Sequence, residues 1–224
     1  MDSILRRIDE GLWTVDLPFS LMGLSLGARS TLARLRSGGL FLCSPGPFEV
    51  AHVEAIRSLG EVEAIVAPNS FHHLYLRRAA EHFPRARVFL APGLREKVQN
   101  LPAGEELRDE APEPWTGAIE QLVVAGSKAN EVVFFHAATR TLVLTDLAFN
   151  VRRGGAWTRL GMKLNGGFGR FGPTRVLRST IHDRAAFAAS MERIASWDFD
   201  RVIVTHGDVV ETGGRELFRQ AFEL

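Results

Sequence analysis

The chain has 224 residues, 46% of them hydrophobic and 24% charged, the balance of an ordinary globular protein and not of a disordered or fibrous one. Its net charge of +1 gives no global reason to expect a nucleic acid or a membrane as partner, and no run reaches the ~18–20 apolar residues of a spanning helix. A lone cysteine, Cys43 in the apolar run Leu40-Phe41-Leu42-Cys43, excludes an internal disulfide and reads as a buried, inert thiol in a reducing cytoplasm.

In chain order, residues 12–15 and 31–35 are predicted strands, and Ser37-Gly38-Gly39 turns into a third at 40–43. The apolar stretch between the first two, 17–28, superficially resembles a signal peptide. Asp9, Glu10 and Asp16 precede it, and Pro18 and Gly23 interrupt it, so it is not read as one. After Ser44-Pro45-Gly46-Pro47 a helix is expected over 48–59, stopped by Gly60. A strand at 62–67 runs into the loop Pro68-Asn69-Ser70. Ser70 then N-caps an expected helix over 71–83, with Leu76, Ala79, Ala80 and Phe83 on one face. With the strand at 87–91 this alternation implies a parallel, buried unit.

The acidic, proline-containing segment 102–115 reads as a long surface loop. Strands follow at 122–125, 131–136 and 141–146, the last two forming a hairpin across 137–140. A glycine-rich stretch with no acidic residue between Asp146 and Asp183 carries seven cations, from Arg152 to Arg178, so the rest of the chain is about −6 by subtraction. Few apolar residues there imply little core burial. An amphipathic helix at 183–197, a strand at 201–204 and a last helix at 214–224 complete one expected domain over residues 1–224.

Chemistry is expected where buried strands end. His72 and His73 follow one such strand, Asp146 ends another and His206 a third. Imidazoles with a carboxylate form a ligand set for one divalent ion, zinc, iron or manganese. The alternative is a capped or solvent-facing histidine pair beside a turn aspartate. His136 is set apart: in a four-residue hairpin it lies opposite Thr141 and ~17 Å from Asp146, whereas Glu131 lies opposite Asp146.

The order of elements resembles the metallo-β-lactamase superfamily, whose αβ/βα four-layer sandwich is the expected fold. Its H-x-H-x-D-H motif, laid on residues 67–73, puts Pro68 and Ser70 at the first two histidines, His72 at the aspartate and His73 at the last histidine. Its G-H-T-P-G-S segment falls on residues 126–131, with Ser127 at the histidine. The metal-bridging aspartate is kept as Asp146, and the closing histidine as His206. The phrases around Asn69-Ser70-Phe71-His72-His73, Leu144-Thr145-Asp146 and Thr205-His206-Gly207-Asp208 resemble one divergent, uncharacterised branch with a degenerate metal motif.

The resemblance implies a metal-dependent hydrolase reduced to one ion, with His72, His73, Asp146 and His206 as ligands and Glu131 or Asp208 as a candidate base. Asn69, Arg152 and Arg153 are assigned to a small anionic substrate, the two arginines leading the basic segment. The competing reading is a non-catalytic, metal-free binding or scaffold relative. Redox chemistry and nucleic-acid processing are disfavoured, the latter because aromatic residues are thin in the basic stretch. No membrane partner is expected.

Overall fold

The protein is described from a computed structural model, over residues 4–224. Its elements, in order, are β1 (Arg6–Asp9), β2 (Leu12–Leu17), the short hairpin β3 (Ser20–Leu21) and β4 (Leu24–Ser25), β5 (Ala28–Arg34), β6 (Leu40–Cys43), α1 (Val50–Leu59), β7 (Val62–Ala67), α2 (Leu76–His82), β8 (Arg87–Leu90), α3 (Leu94–Lys97) and β9 (Glu105–Glu106). The second half comprises β10 (Ile119–Val123), β11 (Val132–His136), β12 (Thr141–Leu144), α4 (Ala156–Leu164), α5 (Arg175–Thr180), α6 (Arg184–Ser196), β13 (Arg201–Val204) and α7 (Gly214–Phe222). One sheet runs β1-β2-β5-β6-β7-β8-β9 and the other β10-β11-β12-β13.

Strand alternation sorts side chains into layers, because successive residues point to opposite faces. Phe41 and Cys43 of β6, Ala64 and Val66 of β7, Val132 and Phe134 of β11, Val143 of β12 and Ile203 of β13 meet between the sheets. The intervening residues face outward. Leu40, Leu42 and Ile65 pack with Val53 and Ile56 of α1 and Leu76 of α2. Val133, Phe135, Leu142 and Val202 pack with Met191 and Ile194 of α6 and Phe218 of α7. The result is an αβ/βα four-layer sandwich. Cys43 is buried, and burial pushes its thiol pKa far up, which keeps it unreactive.

The 137–140 hairpin has the expected register, with His136 paired to Thr141. Three expectations need correction. The helix expected over 71–83 begins only at Leu76. The carbonyl oxygen of the Asn69 side chain takes the N–H groups of both Phe71 and His72 (2.8 and 2.9 Å), so the chain turns there before the helix starts. The 102–115 segment is not merely a surface loop, since Leu107 and Trp115 are buried between the sheets. The basic stretch carries α4 and α5, and Val151 and Met162 form a small apolar cluster there with Phe149.

Candidate metal centre

Parallel pairing of β6 with β7 and of β12 with β13 brings the C-terminal ends of these strands to one edge. Ser44 follows β6, Asn69 and His72 follow β7, Thr145 and Asp146 follow β12, and His206 follows β13. Among the described residues, one His/Cys/Asp/Glu group is compact enough to hold a metal ion. It is His72, Asp146 and His206, with one ligand atom of each within 4.8 Å of the others.

Each ring is anchored from behind. His206 Nδ1 donates to the Gly27 carbonyl (2.6 Å), and a carbonyl can only accept. In the neutral ring His206 Nε2 then presents a lone pair to Asp146 Oδ1 at 3.7 Å. Burial lowers the His206 pKa, with Asp146 opposing, so the ring is held neutral. In that state two acceptors face each other, an arrangement that a cation completes. His72 Nδ1 is 2.6 Å from the Ser44 hydroxyl, which can donate or accept, and His72 Nε2 is 3.1 Å from Asp146 Oδ2. Burial disfavours charge on His72, but Asp146 outweighs it and raises the pKa. Burial would also raise Asp146, yet His72 and Asn69 hold its carboxyl below the usual range, joined by His206 at pH values where that ring is charged. Phe149 stacks on His206 at 4.9 Å and Phe19 lies 5.7 Å away, which limits water at that ring.

Beneath the ligands lies a buried polar brace. The Asn69 amide donates to Asp146 Oδ2 (2.8 Å), Thr145 Oγ1 (3.0 Å) and Glu131 Oε2 (3.3 Å). Glu131 in turn accepts the backbone N–H groups of Thr145 and Asp146 (2.7 and 2.9 Å). Burial and the neighbouring Asp146 push the Glu131 pKa up to about 7, against its hydrogen bonds to Thr145 and Asn69. Second-sphere contacts of this kind orient ligands.

Sequence reasoning brought together three of its four candidate ligands. His73 lies outside the compact group. The turn imposed by Asn69 swings His72 to the centre instead. Asn69 was assigned to substrate; it is fully buried and its carboxamide is occupied by protein partners, so it supports the centre from below. Ser127, at the position of the superfamily's third histidine, is buried and bonds Thr180. Arg152 donates to Asn150 Oδ1, and Arg153 pairs with Asp208 at 2.7 Å, which occupies one of the two candidate bases. The other, Glu131, is enclosed. Sequence reasoning missed Ser44 and Gly27. The break Ser44-Pro45-Gly46-Pro47 after a buried strand was the available signal for the first; a backbone carbonyl leaves none for the second.

Gly207 fixes the angle at which His206 enters the site. Its φ is +106°, and an added Cβ would lie 2.3 Å from the Asn150 backbone, which pairs with His206. A Gly207→Ala variant is expected to lose at least about 1–2 kcal/mol in urea denaturation, and an unchanged midpoint would show that this close approach is dispensable.

The fold is that of the metallo-β-lactamases. The chain is similar to a metallo-β-lactamase from Pontibacter korlensis (13% identity, TM-score 0.68, 98% of each chain covered). It is also similar to the FIM-1 enzyme of Pseudomonas aeruginosa in a mono-zinc form (13% identity, TM-score 0.65, 98% of this chain and 94% of that one). A metallo-β-lactamase family protein of Thermus thermophilus aligns at 16% identity and TM-score 0.61, over 97% of this chain and 78% of that one. At these identities the likeness speaks for the fold alone. Residues 9–156 match the family described as Domain of unknown function (DUF4336), and the chain belongs to that family. No curated protein matches the sequence.

Proposed function

We propose that this protein is a metal-dependent hydrolase that holds one divalent ion between His72, Asp146 and His206 and acts on a small anionic substrate. The observation that carries the reading is His206 Nε2 facing the Asp146 carboxylate across 3.7 Å, with Nδ1 committed to Gly27. A mixed nitrogen and oxygen donor set suits zinc, iron or manganese, and three protein ligands leave positions open for water and substrate. When bound, such an ion supplies Lewis acidity, which lowers the pKa of water and polarises ester or phosphoryl oxygens. The chain's own residues do the positioning. Gly27 and Ser44 fix the rings, Asn69 and Glu131 fix Asp146, and Phe149 screens His206. The mono-zinc form of the Pseudomonas protein is a precedent in this fold for a single ion. Arg152 and Arg153, on the segment that follows Asp146, are the groups for the substrate's anion. The buried, unpaired Cys43 suits a cytoplasmic setting.

One observation favours a metal-free scaffold instead: His72 and Asp146 already form an ion pair at 3.1 Å. Elemental analysis of protein purified without chelator or affinity tag separates the two. One divalent ion per chain is expected, with affinity at least tenfold weaker in His206→Ala. Screening phosphate and carboxylate esters should then find a substrate whose KM rises in an Arg152→Ala/Arg153→Ala variant. If the wild type neither retains metal nor gains thermal stability from added zinc, iron or manganese, the hydrolase reading fails.

A further inference from the structure

We propose that the face built by the β3–β4 hairpin, α4 and α5 docks on the surface of an anionic lipid bilayer. Ten large apolar side chains are exposed among the described residues, and six of them lie here: Leu21, Met22, Trp157, Leu160, Leu164 and Val176. Scattered singly they would be ordinary surface, but these are joined. Met22, at the hairpin tip, is 89% exposed. Its carbonyl accepts from the Trp157 indole, and Gly161 of α4 lets the Leu24 side chain come close. On α4, Trp157, Leu160 and Leu164 stand at i, i+3 and i+7, while Thr158 and Met162 turn inward. The helix thus has a second, outward apolar stripe. Asn165, at its end, takes the Arg175 and Val176 N–H groups and carries the surface on to α5.

Cations border this ridge. Arg159 and Lys163 lie beside the stripe on α4. Lys163, Arg170, Arg175 and Arg178 line a concavity of about 410 Å³ with Phe168 at its wall. Among the described residues none of these five cations is in an ion pair, and no acidic residue lies between 147 and 182. The net charge of +1 hides this, because the seven cations of the stretch are offset by about −6 elsewhere.

Two kinds of surface side by side specify the occupant. A second copy of this chain would bring the same cations against themselves. A nucleic acid would use the cations but gain nothing from Leu160, Leu164, Met22 and Val176. An acidic protein segment would require an apolar groove, whereas the concavity here is cationic and the apolar groups project. A bilayer interface offers phosphates to Lys and Arg, and acyl chains to the ridge, in adjacent layers. Among the described residues no helix is long and apolar enough to cross a membrane, and the proposed attachment is by this face.

The test is sedimentation of the full chain with vesicles of phosphatidylcholine alone, and of phosphatidylcholine mixed with phosphatidylglycerol. Binding is expected only to the mixed vesicles and should weaken with added salt. A Leu160→Ser/Leu164→Ser variant should bind at least about tenfold less tightly, from lost apolar burial. Arg170→Ala/Arg175→Ala should bind about twenty-five-fold less tightly, at roughly a factor of five per cation. All four residues are on the surface, so both variants should keep the wild-type melting temperature. Absence of binding to the mixed vesicles overturns the proposal. So does binding that survives the leucine substitutions, or tighter binding to an oligonucleotide than to vesicles. Adding a chelator should change none of these results, which keeps the outcome independent of the metal centre.

Discussion

Trp115→Ala is expected to destabilise the protein by about 3–5 kcal/mol, among the largest effects of any single substitution here. The indole is 1% exposed and packs edge-on against Phe41 (5.1 Å) and Phe89 (4.5 Å), both on the inner face of the seven-stranded sheet. Its Nε1 donates to Gln121 Oε1 (2.9 Å), and the Gln121 amide donates to the carbonyls of Arg108 and Glu110. One side chain thus fills the space between the sheets and, through Gln121, ties down the acidic segment that crosses their edge. Truncation leaves a cavity and an unsatisfied acceptor on buried Gln121, two costs that add. Trp115→Phe should recover most of the packing and lose about 1–2 kcal/mol, the share of the hydrogen bond. Urea denaturation measures both. A Trp115→Ala loss below about 1 kcal/mol at unchanged m-value would show that this residue is not core.

That residue also shows why part of the fold was hidden. Residues 102–115 are acidic and contain Pro102, Pro112 and Pro114, so their average composition is that of a solvated loop. Burial is decided residue by residue, and Leu107 and Trp115 turn inward while the acids between them face water. The strands that build the centre were legible because alternation and β-branched runs are local signals. The His136–Thr141 register placed Glu131 beside Asp146, where its carboxylate holds the Thr145 and Asp146 amides. The choice between His72 and His73 was not legible by the same means. A motif laid along a chain gives order, while direction depends on the turn that Asn69 imposes. The basic stretch failed for a third reason. Its glycines masked α4, whose inward face needs only Thr158 and Met162 because its outward face is apolar as well.

The stability of the wild type relative to Glu131→Gln is expected to fall by about 3 kcal/mol as pH rises from about 4.5 to about 7. Glu131 is fully enclosed beside Asp146, and its pKa is raised from 4.5 to about 7. In the unfolded chain the group ionises near its ordinary value, whereas in the fold it keeps its proton until neutrality. Over this interval the folded state binds more protons, so stability drops as pH rises and levels off above about 7. Glutamine cannot ionise and removes that slope. Its NH₂ also takes the place of one carboxyl oxygen, where it meets either the Thr145 donor or those of Asp146 and Asn69, which costs hydrogen bonds by an amount independent of pH. Offset and slope therefore separate in one series of urea titrations. A pH-independent difference between the two proteins would mean that Glu131 ionises normally, and that the brace is held by hydrogen bonds alone. The same series reads the centre from the side away from its ligands. A divalent ion at His72, Asp146 and His206 would offset the Asp146 charge that helps raise Glu131. Zinc binding adds its own pH dependence to both proteins, so saturating zinc should flatten the slope of the difference between the wild type and the glutamine variant. A slope that zinc does not alter would count against an ion at Asp146, whatever the protein's activity.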